Sequence, residues 1–167
     1  VGVGYKTLHE PCEALSLYAN ELLSSGTAGI ILEEPPALSV ISGGVSVNAF
    51  LGSYSWQKKD ADGNSVSINA GSAHPLDCEE LLSPPHETPE ATAALRFAEE
   101  PDAVVSVKCW SDEYWGEPAA DSERAAVNGD VLTLKAGGYI YEITAGWNAE
   151  NGYGGTASYF IYIKMTE

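Results

Sequence analysis

Basic residues are scarce in this chain. It carries 8 lysines and arginines against 24 aspartates and glutamates, which gives a formal net charge of −16 at pH 7. Because nucleic acid and anionic lipid surfaces are themselves negative, they repel such a chain. We therefore expect no nucleic-acid partner, and contact with a membrane only through a lipid anchor that lies outside this sequence.

Cysteine is also rare, since Cys12, Cys78 and Cys109 are the only three in 167 residues. They form no C-x-x-C pair and have no histidine at ligand spacing, so the sequence predicts no metal site and no cofactor. Two interpretations of the cysteines stay open. One is a single disulfide, of undetermined pairing, with one free thiol; if Cys78 and Cys109 were the pair, it would close a loop of about 30 residues and add roughly 3 to 4 kcal/mol on the chain-entropy model. Alternatively, all three thiols are small buried groups.

Long hydrophobic runs are missing. The longest stretch without a charge, residues 35–57, contains serine, glycine and proline, so it does not match a membrane span. The first residues also lack the basic and apolar regions of a signal peptide, and we expect any such segment to have been removed. Apolar residues nevertheless make up 44% of the chain, which favours a folded domain over a disordered one.

The N-terminal part has a different period from the rest. Residues 11–24 start with a proline, place apolar side chains at intervals of three and four, and end before a glycine. This spacing predicts one amphipathic helix. Pro35 and Pro36 then hold an extended backbone and mark a boundary. We predict a helical appendage of residues 1–34 and a main domain of residues 35–167.

From Leu38 onward, apolar and polar residues mostly alternate, as expected for strands with one buried face. Turn residues at 60–64 and 128–129 predict hairpins. The clearest strand patterns are residues 139–147 and 157–163. Because parallel strands need helices or long crossovers between them, many short strands without helices predict an antiparallel sandwich.

The phase of the alternation predicts which side chains enter the core. Trp56 and Trp147 each lie in phase with the buried positions of their strands, so we expect both in the core. Val105, Val107 and Cys109 are likewise expected to share one face of a strand.

A glycine-rich corner is similar to one found in immunoglobulin-like domains. Gly137 and Gly138 precede Tyr139, and in such corners a tyrosine hydroxyl binds upstream backbone. We assign this role to Tyr139, with Tyr141 at the place where antibody domains have a cysteine. The predicted fold class is mainly β: an immunoglobulin-like antiparallel β-sandwich with a short N-terminal helix, but without the paired cysteines of antibodies.

One segment, residues 110–118, concentrates aromatic rings and carboxylates where a loop should follow a strand. Rings that stack on CH groups and carboxylates that accept hydroxyl hydrogen bonds suit sugar binding. The alternative is that Trp110 or Trp115 folds back and caps the open end of the sandwich. The candidate binding residues are Trp110, Asp112, Glu113, Tyr114 and Trp115.

Two other patterns carry weaker hypotheses. Residues 60–64 alternate oxygen-bearing side chains, but their glycine does not have the spacing of a calcium loop, which favours an ordinary hairpin. His9, His74 and His86 lie in separate loop contexts without a nucleophile or metal signature. Because no such signature is present, we predict that the protein is not an enzyme. The alternative function that we keep is a hydrolase that uses a histidine and carboxylates.

Five segments together resemble a family of secreted bacterial domains: residues 52–56, 72–76, 109–116, 138–142 and 155–159. Such domains occur in uncharacterised lipoproteins of Gram-positive bacteria and, similarly, as the extracytoplasmic C-terminal regions of M56-type antirepressor metallopeptidases. The resemblance implies a secreted or lipid-anchored module on the cell surface, and it assigns no functional residue. The peptidase's zinc motif is absent.

The combined prediction is a non-catalytic extracytoplasmic binding or sensor module. It would recognise an extracellular protein, peptide or glycan through the loops at its strand ends. The alternative, a secreted hydrolase, has no reaction signature in the sequence.

Overall fold

A computed structural model describes residues 31–167, and Leu32–Glu167 form one compact unit. The predicted helix of residues 11–24, with Cys12, lies outside the described residues and stays a prediction, as does the domain boundary at residue 34. Within the described part of the chain, no helix is both long and apolar enough to cross a membrane.

One of the two sheets contains five short strands. They are β1 (Leu38–Ser42), β2 (Val45–Asn48), β6 (Thr92–Phe97), β9 (Val127–Asn128) and β10 (Val131–Thr133). Their order across this first sheet is β2-β1-β6-β10-β9. Buried side chains alternate with more exposed ones along β1 and β6. Because successive side chains point to opposite faces, the buried set forms one apolar face.

The second sheet contains the longer strands. They are β3 (Phe50–Lys59), β4 (Ser65–Ala70), β5 (His86–Thr88), β7 (Ala103–Ser111), β8 (Glu123–Arg124), β11 (Gly137–Trp147) and β12 (Tyr153–Met165). Their order is β4-β3-β12-β11-β7-β8, and β5 pairs with β12. The strand pairs of the described residues are antiparallel in both sheets, apart from this parallel pairing of β5.

The strand connections match those of immunoglobulin-like domains. In such domains strands A, B, E and D form one sheet and C, F and G form the other. Here β1, β6, β10 and β9 take the first set of places, and β7, β11 and β12 take the second. The predicted mainly β, immunoglobulin-like sandwich is therefore confirmed. The chain between β2 and β6 adds the β3–β4 hairpin, α1 (Glu79–Leu82) and β5 to this plan.

The core lies between the two sheets. Its largest rings come from both of them: Phe97 of the first sheet contacts Trp147 and Tyr159 of the second, with ring centroids 5.7 Å apart in each case. Trp56 packs against Trp147 at 5.6 Å. The prediction that Trp56 and Trp147 are core residues is confirmed.

The segment that leads into β1 is held against the second sheet by side-chain hydrogen bonds. Trp56 Nε1 donates to the carbonyl oxygen of Leu32 at 2.9 Å, and the Tyr159 hydroxyl donates to that of Pro36 at 2.5 Å. Burial raises the pKa of the Tyr159 hydroxyl above its ordinary range, so this group stays protonated and remains a donor.

Both predicted hairpins are confirmed. In the β3–β4 turn, the Asp60 carboxylate accepts the backbone N–H groups of Asp62 at 2.9 Å and Asn64 at 2.8 Å. These hydrogen bonds, the one from Asn64 foremost, lower the pKa of Asp60. The second hairpin joins β9 to β10, and Gly129 in its loop has φ +62°. Side chains rarely adopt that conformation, which explains the glycine.

The corner tyrosine is Tyr141, so the assignment to Tyr139 is wrong. The backbone N–H of Lys135 donates to the Tyr141 hydroxyl at 3.0 Å. Tyr141 points into the core and is fully buried, which raises the pKa of its hydroxyl to about 12. Tyr139 lies closer to solvent, with Lys135 Nζ 5.7 Å from its ring centre. The glycine pair alone could not distinguish two tyrosines on the same face.

The expectation that Val105, Val107 and Cys109 share a buried face is wrong for Val105. The register between β7 and β11 shifts between Thr144 and Ala145. The extra residue in β7 at this point is Val105, so Val104 packs against the core in its place. Val105 is 62% exposed.

Cys78 and Cys109 are not joined by a disulfide; both thiols are free and buried. Cys109 lies in the core between the sheets, whereas Cys78 belongs to the segment that packs on the other face of the second sheet, where its Sγ donates to the His74 carbonyl at 3.4 Å. Burial raises the pKa of both thiols. Of the two interpretations of the cysteines, the one in which the thiols are small buried groups is therefore confirmed for Cys78 and Cys109.

Replacing Tyr141 with Phe should destabilise the protein by about 1 to 3 kcal/mol, because the partly buried N–H of Lys135 loses its acceptor. The matched variant Tyr139→Phe should change stability by less than about 0.5 kcal/mol. Urea unfolding of both variants measures the difference. Equal losses would contradict the reassignment of the corner.

Non-reducing proteolysis followed by mass spectrometry should recover Cys78 and Cys109 in unlinked peptides, since the second sheet separates them. In the native protein both thiols should react far more slowly with a thiol reagent than after denaturation, because burial disfavours the reactive thiolate. A peptide pair linked through Cys78 and Cys109 would contradict the structure.

Candidate functional site

The outer face of the second sheet carries an apolar row across three neighbouring strands. Trp110 of β7 pairs with Ile140 of β11, which pairs in turn with Tyr162 of β12. These positions are out of phase with the residues that enter the core. The sheet therefore has apolar side chains on both faces, and its outer face needs a cover of its own.

Residues 71–85 supply part of that cover. Leu76, in a 3-10 turn, is fully buried against Trp110 and Ile140. His74 caps the turn, since its Nδ1 accepts the backbone N–H of Leu76 at 3.2 Å, and its ring meets Trp110 edge to face at 5.0 Å. The Trp110 indole N–H donates to the Ala120 carbonyl at 3.1 Å. The buried Trp110 ring therefore has a partner for its hydrogen-bond donor.

Residues 111–120 supply the rest of the cover and include most of the predicted segment of residues 110–118. Ser111 caps the 3-10 turn Asp112–Tyr114 by accepting the N–H of Glu113 at 3.3 Å. Gly116 then ends the turn with φ +78°, and its N–H donates to the Leu76 carbonyl at 2.9 Å. The two covering segments are therefore tied to each other.

Asp112 anchors the turn to the sheet. Its Oδ2 accepts the hydroxyl of Tyr162 at 2.7 Å. Burial, and then this bond to a carboxylate, raise the pKa of the Tyr162 hydroxyl to about 12. The carboxylate lies directly over Gly138, where a Cβ atom would come within 2.0 Å of Oδ2. Glycine at 138 therefore makes room for the anchor.

The structure separates the five candidate binding residues into two groups. Trp110 is only 5% exposed, so its assignment to a ligand-contacting surface is wrong; it lies on the outer face of the sheet beneath the covering segments and does not cap an open end of the sandwich. Trp115 is half-buried edge-on to Tyr162 at 5.2 Å. Asp112 is engaged as an anchor. Glu113 and Tyr114 face solvent, and Tyr114 is 41% exposed.

A shallow groove of about 500 Å³ begins at the Tyr114 ring. Its wall continues through Glu117, Pro118 and Ala119 to Asp121. The groove therefore combines one exposed aromatic ring with two carboxylates. Asp121 was missed by the sequence reasoning. The nearest signal for it was the short Pro-Ala-Ala stretch between acidic residues, a composition too common to indicate a site.

A second concavity was not predicted from the sequence at all. It has a volume of about 290 Å³ and lies between α1 and the strands β2, β3 and β12. Phe50 and Leu81 are exposed at its edge, and the ring of Phe160 forms its floor against Gly52. The alternation of the last strand assigned Tyr159 and Ile161 to its buried face, so it gave no indication that Phe160, on the opposite face, is also buried.

The two described histidines have structural roles. His74 caps a turn, and His86 Nε2 lies 3.2 Å from the Ser42 carbonyl oxygen. His9 lies outside the described residues. Over residues 31–167, no three or more histidine, cysteine, aspartate or glutamate side chains are grouped so as to hold a metal ion.

Comparison with known proteins found no family profile, curated protein or solved structure that matches this chain. The resemblance to secreted bacterial domains and to the outer regions of M56-type peptidases therefore stays a prediction.

Gly138→Ala should destabilise the protein by about 1 to 3 kcal/mol, because the new Cβ displaces Asp112 from Tyr162. Gly146→Ala, on the same strand, is the matched control. A Cβ there meets its nearest neighbour at an ordinary 3.7 Å, so we expect no loss, or a gain of about 0.4 to 1 kcal/mol. Thermal unfolding compares the two. A neutral Gly138→Ala variant would contradict the anchoring role of Asp112.

Proposed function

We propose that this protein is a non-catalytic binding module that acts outside the cytoplasm and recognises a protein, a peptide or a glycan at the Tyr114 groove. The observation that carries the proposal is the exposed Tyr114 ring, held on a fixed turn beside the carboxylates of Glu117 and Asp121. The extracytoplasmic location rests on the resemblance described for the sequence.

The turn that carries Tyr114 is held in place before any ligand arrives. On one side of Tyr114, Asp112 binds Tyr162; on the other, Gly116 binds Leu76. An aromatic side chain has few rotatable bonds, so a tyrosine on a fixed turn loses little conformational freedom when it binds. Tyrosine is among the residues that contribute most to binding when a partner packs on it and excludes water.

Charge narrows the class of ligand. The ionisable side chains that line the groove with Tyr114 are the carboxylates of Glu117 and Asp121, and Glu113 lies next to it in the chain. A basic peptide segment gains attraction to these carboxylates and can place a cation over the tyrosine ring. A neutral sugar gains stacking and hydroxyl hydrogen bonds. An acidic ligand is repelled, and the overall charge of −16 adds to that repulsion.

Tyr114→Ala should weaken binding about tenfold or more while changing stability by less than about 0.5 kcal/mol. The probes are arrays of short basic, neutral and acidic peptides and of neutral glycans, followed by titration calorimetry on the hits. Val105→Ala, at another exposed position, is the control and should bind as the wild type does.

Salt separates the two ligand classes. Binding of a basic peptide should weaken as salt is raised from 50 to 500 mM, whereas glycan binding should change little. If ligands bind Tyr114→Ala as tightly as the wild type, the groove is not the site.

A further inference from the structure

Strand β4 is an open edge of the second sheet. It pairs with β3 on one side, and within residues 31–167 nothing pairs with its other side. The other described edges are shorter: β8 and β9 have two residues each, β2 has four, and β5 covers the last residues of β12. β4 has six residues and pairs with β3 in continuous register.

The hairpin turn shows which backbone groups of β4 are free. The N–H of Asp60 donates to the carbonyl of Asn64 at 2.9 Å, which makes this a hydrogen-bonded pair. Because such pairs alternate along an antiparallel ladder, Val66, Ile68 and Ala70 exchange hydrogen bonds with β3. The N–H and C=O groups of Ser65, Ser67 and Asn69 therefore point away from the sheet. They form a row of donors and acceptors ready for another strand.

Within the part of the chain that the structure describes, β4 has no lysine, proline or bulge of the kind that protects an edge strand. Natural edges carry a lysine, a proline or a bulge that prevents further pairing. β4 reads Ser-Val-Ser-Ile-Asn-Ala, without charge or proline. Ile68 lies opposite Trp56, so Val66 and Ile68 share the core-facing side of the sheet, yet Val66 is 37% exposed. Both the backbone and an apolar stripe are available to a partner.

We propose that two copies of this chain pair antiparallel through β4 and form a weak two-fold dimer. A register centred on Ser67 pairs Ser67 with its own copy and Ser65 with Asn69, so that every outward backbone group meets a partner. A two-fold axis perpendicular to the sheet keeps both core-facing sides on the same side. Val66 of each copy then lies opposite Ile68 of the other, which shields the exposed apolar stripe from water.

A second copy is the occupant because β4 is complementary to itself in this register, and the position of the charges allows that copy to approach. The acids nearest to β4 along the chain are Asp60 and Asp62 in the turn, at one end of the strand. The Glu33 carboxylate lies beside Lys58, the register partner of Val66, and is paired with that lysine. In the antiparallel pair the two turns lie at opposite ends, about 20 Å apart for six residues. That separation exceeds the screening length of about 8 Å at physiological salt. Residues 71–76, which face the partner's turn, carry no carboxylate.

The dimer should be weak and should strengthen with salt. A single strand pair buries less than the roughly 1,000 Å² of a stable interface, and two copies of charge −16 repel each other at long range. We expect a dissociation constant between about 10 µM and 1 mM. Raising the salt from 50 to 500 mM should tighten it several-fold, because screening removes the long-range repulsion.

The test is sedimentation velocity on the full chain from 10 µM to 2 mM at both salt concentrations. Ser67→Pro removes the central outward N–H. Proline is tolerated on an edge strand where the N–H faces solvent, so the variant should fold. It should lower the association constant at least tenfold, whereas Ser67→Ala, which keeps the N–H, should dimerise like the wild type.

A second pair of variants keeps the test decisive if Ser67→Pro fails to fold. Val66→Lys places a charge opposite Ile68 of the other copy and should also prevent dimerisation. Val105→Lys changes the net charge equally at an exposed position of β7 and should not. A wild type that stays monomeric at every concentration and at both salt concentrations overturns the proposal. It does so even if β4 is later found to pair with a different protein. A dimer that survives both Ser67→Pro and Val66→Lys also overturns it.

Discussion

The organisation of this domain depends on one constraint: the second sheet is apolar on both faces. Its inner face packs on the first sheet, and its outer face carries the row formed by Trp110, Ile140 and Tyr162. Exposed apolar surface costs about 25 cal/mol per Å², so a row that contains a tryptophan requires a cover. Residues 71–85 and 111–120 provide it, and every feature of the candidate site follows from how they are held.

The cover explains why one aromatic residue of the predicted site is exposed and the others are not. Trp110 is on the strand itself and lies beneath the cover, while Trp115 closes over Tyr162 at its edge. Tyr114 lies between the two ties formed by Asp112 and Gly116, where the turn points away from the sheet. The proposed contact residue is thus a consequence of the covering geometry, and the buried tryptophan stabilises the turn that presents it.

Charge is distributed differently over the two proposed surfaces. The groove is lined by carboxylates and suits a neutral or basic ligand, whereas β4 is uncharged along its whole length. A chain with a net charge of −16 is kept apart from other copies at long range. A neutral strand, with the nearby Glu33 carboxylate paired to Lys58, allows close approach where the backbone groups are free. The insertion between β2 and β6 that covers the sheet also creates this edge.

The sequence by itself determined the features that are encoded locally. Alternation of apolar and polar residues predicted the β-sandwich and the core positions of Trp56 and Trp147. Turn residues predicted the hairpins at 60–64 and 128–129, because backbone hydrogen bonding to Asp60 and the positive φ of Gly129 involve only neighbouring residues. The candidate segment around Tyr114 was also recognised, from its unusual mixture of rings and acids.

Only the tertiary structure decided which side of each strand is covered and by what. Trp110 is buried because Leu76, far away in the chain, packs on it. Tyr141 takes the corner because it lies deeper in the core than Tyr139, and Val105 is exposed because the pairing of β7 with β11 shifts. An alternating pattern defines two faces of a strand, but it carries no information about a distant segment that packs on one of them. That information arises only when the sheets and their covering segments come together in space.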